Sequence, residues 1–268
     1  MHRLQKYVKP WSILVTMKRV LIIGIGAGDP AHLTFQAAAA IASADVFFLL
    51  DKGAAKDGLV RLRRELIAAH AREPYRVVEA RDPERDRTSG AYVEAVADWR
   101  ARRADVYARL IADEVPEDGV GAFLVWGDPA LYDSTIAIVE DVLARGGEPF
   151  DYEVIPGISS VSALAARHRV SLTRVARPLH ITTGRRLPAD VEAADDIVVM
   201  LDAGCAFADL PEAADADVYW GAYVGTEDEI LLAGPVREVA GEIRRLRTEA
   251  RETHGWVMDT YLLRKPAR

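Results

Sequence analysis

One cysteine, Cys205, occurs in 268 residues, so the chain cannot close an intramolecular disulfide. That thiol and six scattered histidines form no cluster with zinc-ligand spacing, and no metal is expected. No apolar run approaches the roughly 18 residues of a membrane helix, which argues against a membrane span. Residues 1–16 lack the apolar stretch and small-residue cleavage site of a secretory signal, and with a lone cysteine this points to a reducing cytoplasm. The formal net charge of −7 weighs against a nucleic-acid partner. A G-x-x-x-x-G-K-[ST] phosphate loop is missing, as are repeats and low-complexity segments.

What the chain does have is an apolar fraction of 50%, enough to fill the core of one large or two modest domains. Strand-like and helix-like segments alternate along its first half. Strands are expected from Arg19 to Ile25, Val46 to Leu50, Tyr75 to Val78, Gly121 to Trp126 and Tyr152 to Ile155. Helices are expected around 35–42, 58–71, 91–115 and 136–144, with an exposed polar loop over 79–90. Such alternation predicts a five-stranded parallel sheet covered by helices. Further on, strands near 197–201, 218–224, 230–232 and 256–263 are separated by uneven loops, and one amphipathic helix spans 236–251. The expected fold class is therefore α/β in two domains. It comprises an extension over 1–16, an N-terminal parallel-sheet domain over 17–156 and a C-terminal mixed-sheet domain over 157–268.

Gly-Asp-Pro occurs twice at a strand end, at Gly28-Asp29-Pro30 and Gly127-Asp128-Pro129, and a third glycine turn follows at Pro156-Gly157. Ligands of open α/β sheets bind at the carboxyl ends of strands, and glycine lets a ligand approach the backbone closely. A dinucleotide loop is the first comparison, because Asp51 ends the next strand where a ribose-binding acid would stand. The spacing breaks it: the third glycine of G-x-G-x-x-G falls on Asp29, followed by Pro30. A nicotinamide-dependent oxidoreductase is thus the weaker alternative.

Taken in order, Gly24 to Thr34, Ala44 to Lys52, Trp126 to Tyr132, Val154 to Ser160, Val199 to Leu201 and Gly225 to Glu229 resemble the motifs of the tetrapyrrole methylases. The resemblance covers nearly the whole chain from Met17. It implies a homodimeric, S-adenosylmethionine-dependent C-methyltransferase, with S-adenosylhomocysteine as product and the cofactor held between the two domains. Ala27 stands where most relatives carry proline. Together with the wording of 50–53, 79–87, 92–100 and 126–135, this resembles the branch that converts precorrin-5 to precorrin-6A in cobalamin synthesis. That reaction is methylation at ring carbon 1 with release of acetate, and another precorrin methyltransferase is the nearest competitor.

By motif position, the resemblance implies cofactor contacts at Ala27, Gly127, Asp128, Leu131, Ser159, Ser160, Met200 and Gly225. Asp51 and Tyr132, at strand ends facing the expected cleft, are candidates to orient substrate or move a proton, with a structural hydrogen bond as the competing role. Asp133 and Ser134 are expected to cap the next helix. The carboxylate arms of a precorrin need cationic partners, and Lys52, Arg81, Arg85 and Arg87 are the candidates. The competing role for these arginines is pairing with Asp82, Glu84 and Asp86. His168 and His180 are expected to be structural.

Overall fold

A computed structural model describes residues 17–51, 57–84 and 92–266. The expected extension over 1–16 lies outside the described residues.

The first half forms a parallel sheet from β1 (Lys18–Gly24), β2 (Val46–Asp51), β3 (Arg76–Arg81), β4 (Val120–Val125) and β5 (Phe150–Ile155), in the order β3-β2-β4-β1-β5. The central strands β1 and β4, two of the three inner strands, are almost wholly apolar because helices cover both faces. Alternate residues of each strand face opposite sides and divide the core in two. Leu21, Ile23, Phe47 and Leu49 pack under α1 (Phe35–Ala42) and α2 (Asp57–His70). Val20, Ile22, Phe48 and Phe123 pack under α3 (Tyr92–Glu114) and α4 (Thr135–Ala144), where Tyr107 stacks on Phe123 at 4.2 Å. Thr34 starts α1, its hydroxyl accepting the Ala37 N–H at 3.0 Å.

The second sheet holds β6 (Leu179–Thr183), β7 (Asp196–Met200), β8 (Asp217–Ala222), β9 (Ile230–Pro235) and β10 (Asp259–Arg264), in the order β6-β7-β10-β8-β9. β6 runs parallel to β7 and the remaining pairs are antiparallel, so this sheet is mixed. α5 (Ser160–His168), the four-residue α6 (Leu187–Asp190) and α7 (Val236–His254) complete it, with Val161 of α5 packing on Val198 and Leu262. Asp196, wholly buried at the start of β7, accepts hydrogen bonds from Arg174 Nε at 2.9 Å and Arg264 Nε at 2.7 Å. One carboxylate thereby ties β7 to β10 and to the connection before β6.

The architecture agrees with the α/β expectation, and several boundaries differ: β9 runs on to Pro235, β10 begins at Asp259, and β6 is an added strand. β3 continues through Glu79, Ala80 and Arg81, where a loop is expected from composition. Backbone pairing with Leu49, Leu50 and Asp51 carries the strand on, and as an edge strand β3 can turn polar side chains to solvent. Cys205 is 2% exposed, and burial pushes its thiol up to about 12. The folded protein is therefore expected to resist a thiol reagent at about pH 8, while one equivalent should react on denaturation. Rapid labelling of the native protein would contradict this placement.

Candidate functional site

Three turns meet above the carboxyl ends of β1, β4 and β5. Gly26 and Gly127 pair through their backbones, Gly26 N to Gly127 O at 3.3 Å and Gly127 N to Gly26 O at 2.8 Å. A Cβ on Gly157 would lie 2.2 Å from Gly127 O and 2.8 Å from Gly24 C, so the third turn sits directly against the other two. Asp128 fixes this junction: Oδ2 accepts the Gly157 N–H at 2.9 Å and Oδ1 accepts the Ala130 N–H at 2.8 Å. Each oxygen keeps a second acceptor direction. Asp29 plays a local part, capping a short 3-10 turn through the Ala31 N–H at 2.8 Å. The glycine loop after β1 is thus occupied by pairing with the next turn, and α1 begins only at Phe35. A dinucleotide site needs that loop to open directly into a helix N-terminus, so the geometry does not favour the nicotinamide reading.

Beside the junction lies a pocket of about 180 Å³ between the two sheets. Ala27, Gly127, Asp128, Leu131, Ser159, Ser160 and Met200 all line it, joined by Tyr132. Gly127, at φ +71, has a Cβ-free face whose nearest neighbours are Ser159 Cα and Ser160 N at 3.9 Å, leaving room for a ligand against the backbone. Ser159 caps α5, accepting the Ser162 N–H at 3.2 Å. The far wall comes from Leu201, Val224, Met258 and Thr260. Sequence reasoning did not single out these residues: Met258 and Thr260 reach the pocket only because β10 pairs Thr260 beside Met200. Gly225 lines a neighbouring cavity of about 390 Å³, and Trp126 borders both. A glycine-walled pocket with serine hydroxyls, backbone amides and one pinned carboxylate matches the donor and acceptor set of an adenosyl amino acid.

Tyr132 adopts φ +53, a strained conformation for a residue with a Cβ. Its hydroxyl donates across the cleft to the Ile181 carbonyl at 3.4 Å on edge strand β6. Burial raises its pKa, nearby Asp190 raises it further, and Arg186 opposes both. Asp133 caps α4, its Oδ1 accepting the Thr135 N–H at 2.6 Å. Ser134 makes no cap bond and instead accepts from Arg103 at 3.0 Å.

Of the cationic candidates only Arg81 lies among the described residues, and it does not line this pocket. Arg81 is exposed, pairs with Glu84 at 2.9 Å and lines an open groove with Arg109 and Asp113 on the α3 side. Lys52, Arg85 and Arg87 lie outside the described residues, as does the side chain of Asp51. Two guanidiniums that sequence reasoning passed over stand closer. β2 and β4 stop pairing after Phe48 and Phe123, and Arg63 fills the opening, its Nε donating to the Leu124 carbonyl at 2.8 Å. Burial lowers the Arg63 pKa, and the negative charge of Asp133 works the other way. Arg103, buried in α3, pairs with Asp82 at 2.8 Å and donates to the Tyr107 hydroxyl at 3.2 Å. Both line a slot of about 40 Å³ together with Asp133 and Thr135.

His168 and His180 have partners within the fold: His168 Nε2 meets the Trp220 carbonyl at 2.9 Å, and His180 faces Asp190 at 3.4 Å. His180 shares its sheet face with Ile197, opposite the face of Met200 that borders the pocket. Among the described residues no group of His, Cys, Asp or Glu is arranged to hold a metal ion.

Residues 19–240 match the family model of the tetrapyrrole (corrin/porphyrin) methylases. The chain is 50% identical, over 94% of its length and 97% of the relative's, to a deacetylating precorrin-6A synthase from a Sinorhizobium species. A cobalamin-synthesis-related protein from Corynebacterium diphtheriae (CobF) superposes with TM-score 0.81 at 38% identity, covering 93% of this chain and 99% of that one. The fold extends to a uroporphyrin-III C-methyl transferase from Thermus thermophilus complexed with S-adenosyl homocysteine, with TM-score 0.56 at 20% identity and 91% of each chain covered.

Proposed function

Because the chain belongs to the tetrapyrrole (corrin/porphyrin) methylases, we propose that it methylates precorrin-5 at ring carbon 1 and releases the acetyl unit as acetate, giving precorrin-6A. It is an S-adenosylmethionine-dependent methyltransferase of cobalamin synthesis. The carrying observation is that seven of the eight residues matching the family's cofactor motifs, Ala27, Gly127, Asp128, Leu131, Ser159, Ser160 and Met200, line one pocket at the strand ends, with Gly225 in the neighbouring cavity.

S-adenosylmethionine, when bound, supplies an activated methyl group on a positively charged sulfur. The chain's own residues have positioning work to do. Gly127 leaves the backbone open to close approach, and Asp128, its rotamer fixed by Gly157 and Ala130, offers its remaining acceptor positions to a hydroxyl or ammonium group. Ser160 and Met200 close the sides. Tyr132, held at the mouth by Ile181, is placed to orient the acceptor or donate a proton to it. Holding the ring carbon in line and excluding water account for most of the expected acceleration. Acetyl loss adds a water oxygen to the acetyl carbonyl carbon as the bond to the ring breaks.

The same reading carries a homodimer in the cytoplasm and a division of the chain at Pro156. The packing of α5 on the second sheet supports that division. No described helix is long and apolar enough to cross a membrane. Incubation with precorrin-5 and methyl-labelled cofactor should give one labelled product and one equivalent of acetate. A labelled product that retains its acetyl group would refute the deacetylating assignment and leave a sibling methylase.

A further inference from the structure

We propose that Glu229 is a positioning residue for the cofactor wall, holding the Gly225 turn in place while Arg167 of α5 holds Glu229. This rests on the assignment of the pocket that Val224 lines to the cofactor.

The two carboxylate oxygens of Glu229 face different groups. Oε1 accepts from the Arg167 guanidinium through both Nε, at 2.7 Å, and the adjacent terminal nitrogen. Oε2 accepts the backbone N–H of Gly225 at 2.8 Å. The Glu229 side chain is 9% exposed and that of Arg167 56%, so the carboxylate is shielded while its partner charge reaches solvent. The Glu229 N–H returns to the Thr226 carbonyl at 3.2 Å, so the turn closes on itself through both backbone and side chain.

This turn has no slack on its other side. Gly225 sits at φ +85, and a Cβ there would lie 3.1 Å from Asp29 N and 3.0 Å from His32 Cε1. A Cβ on Gly28 would lie 2.5 Å from Thr226 Cγ2. The Gly225-Thr226 turn of the second sheet is therefore packed backbone to backbone on the Gly28-Asp29 loop of the first. If the Gly225 amide loses its acceptor, the turn can relax only away from that loop, and Val224, which lines the cofactor pocket one residue earlier, moves with it. A shielded N–H to carboxylate bond is charge-assisted, and its loss leaves a donor unpaired.

The test is calorimetric titration of S-adenosylhomocysteine into the wild-type protein, Glu229→Ala, Glu229→Gln and Arg167→Ala, with thermal melts alongside. Glu229→Ala is expected to raise Kd about tenfold at unchanged binding stoichiometry. Glu229→Gln keeps an oxygen for the Gly225 N–H and should recover to within about threefold of wild type. Arg167→Ala should fall between the two. A purely structural role predicts a lower melting temperature and fewer competent molecules at an unchanged Kd, and that result would overturn the proposal. Should Glu229→Ala not fold, the order wild type, Glu229→Gln, Arg167→Ala carries the same test, and equal Kd values across the three overturn it. Failure of the wild-type protein to bind S-adenosylhomocysteine would instead remove the cofactor assignment, and the proposal with it.

Discussion

Replacing Gly157 with alanine is expected to weaken S-adenosylhomocysteine binding by about a hundredfold or more, measured by calorimetry on protein that still melts cooperatively. The new Cβ would stand 2.2 Å from Gly127 O, 2.8 Å from Gly24 C and 2.9 Å from Gly24 Cα. All three are backbone atoms, so no side chain can rotate to make room. The turn must retreat by about an ångström, a displacement that elsewhere costs on the order of a hundredfold in productive geometry. It would also pull the Gly157 N–H from Asp128, freeing the carboxylate that the junction pins. Binding within threefold of wild type would show that the three turns are not coupled as their packing implies.

The largest expected effect on stability belongs to Asp196→Ala. This carboxylate has no exposed surface and receives Arg174 and Arg264. Removing it leaves two guanidiniums at the base of the second sheet facing each other across a cavity, with a cost of about 3–5 kcal/mol for breaking a buried ion pair from one side. Arg264 also donates to the Ser171 carbonyl at 2.6 Å, so the connection before β6 should loosen with it. A denaturant titration should show a lower midpoint at nearly unchanged slope. Asp196→Asn retains an acceptor and should lose less. A midpoint for Asp196→Ala equal to wild type would mean that the two arginines find other partners on folding.

The sequence was most readable where local chemistry and tertiary context agree. β1 and β4 announce themselves as apolar runs because both faces are covered, and each ends in a glycine turn where a ligand site requires one. Asp133 as a helix cap was legible for the same reason, since a cap is a matter of two neighbouring residues. The edge strand β3 was shortened because Glu79 and Arg81 look like loop residues, and only their pairing with Leu49 and Asp51 shows otherwise. Thr260 and Met258 carry no motif, and the pairing of two distant strands brings them to the pocket. Arg63 reads as the polar face of an amphipathic helix, and nothing local says that two strands part beside it. Arg81 answers the need for positive charge by composition, yet on β3 it shares the face of Val77 and Glu79, the side of α1 and α2, and pairs with Glu84 at the exposed edge, which composition does not encode.

The reach of Tyr132 to Ile181 also bears on solubility. β6 is an outermost strand, and Ile181 on it is 38% exposed, so the strand presents unpaired backbone groups and an apolar side chain together. That combination invites a foreign strand to add itself. With the Tyr132 hydroxyl seated on the carbonyl of Ile181, one docking position of that edge is taken by the protein's own chain. A residue that lines the pocket therefore also covers part of that edge, and changes there should be judged by light scattering as well as by turnover.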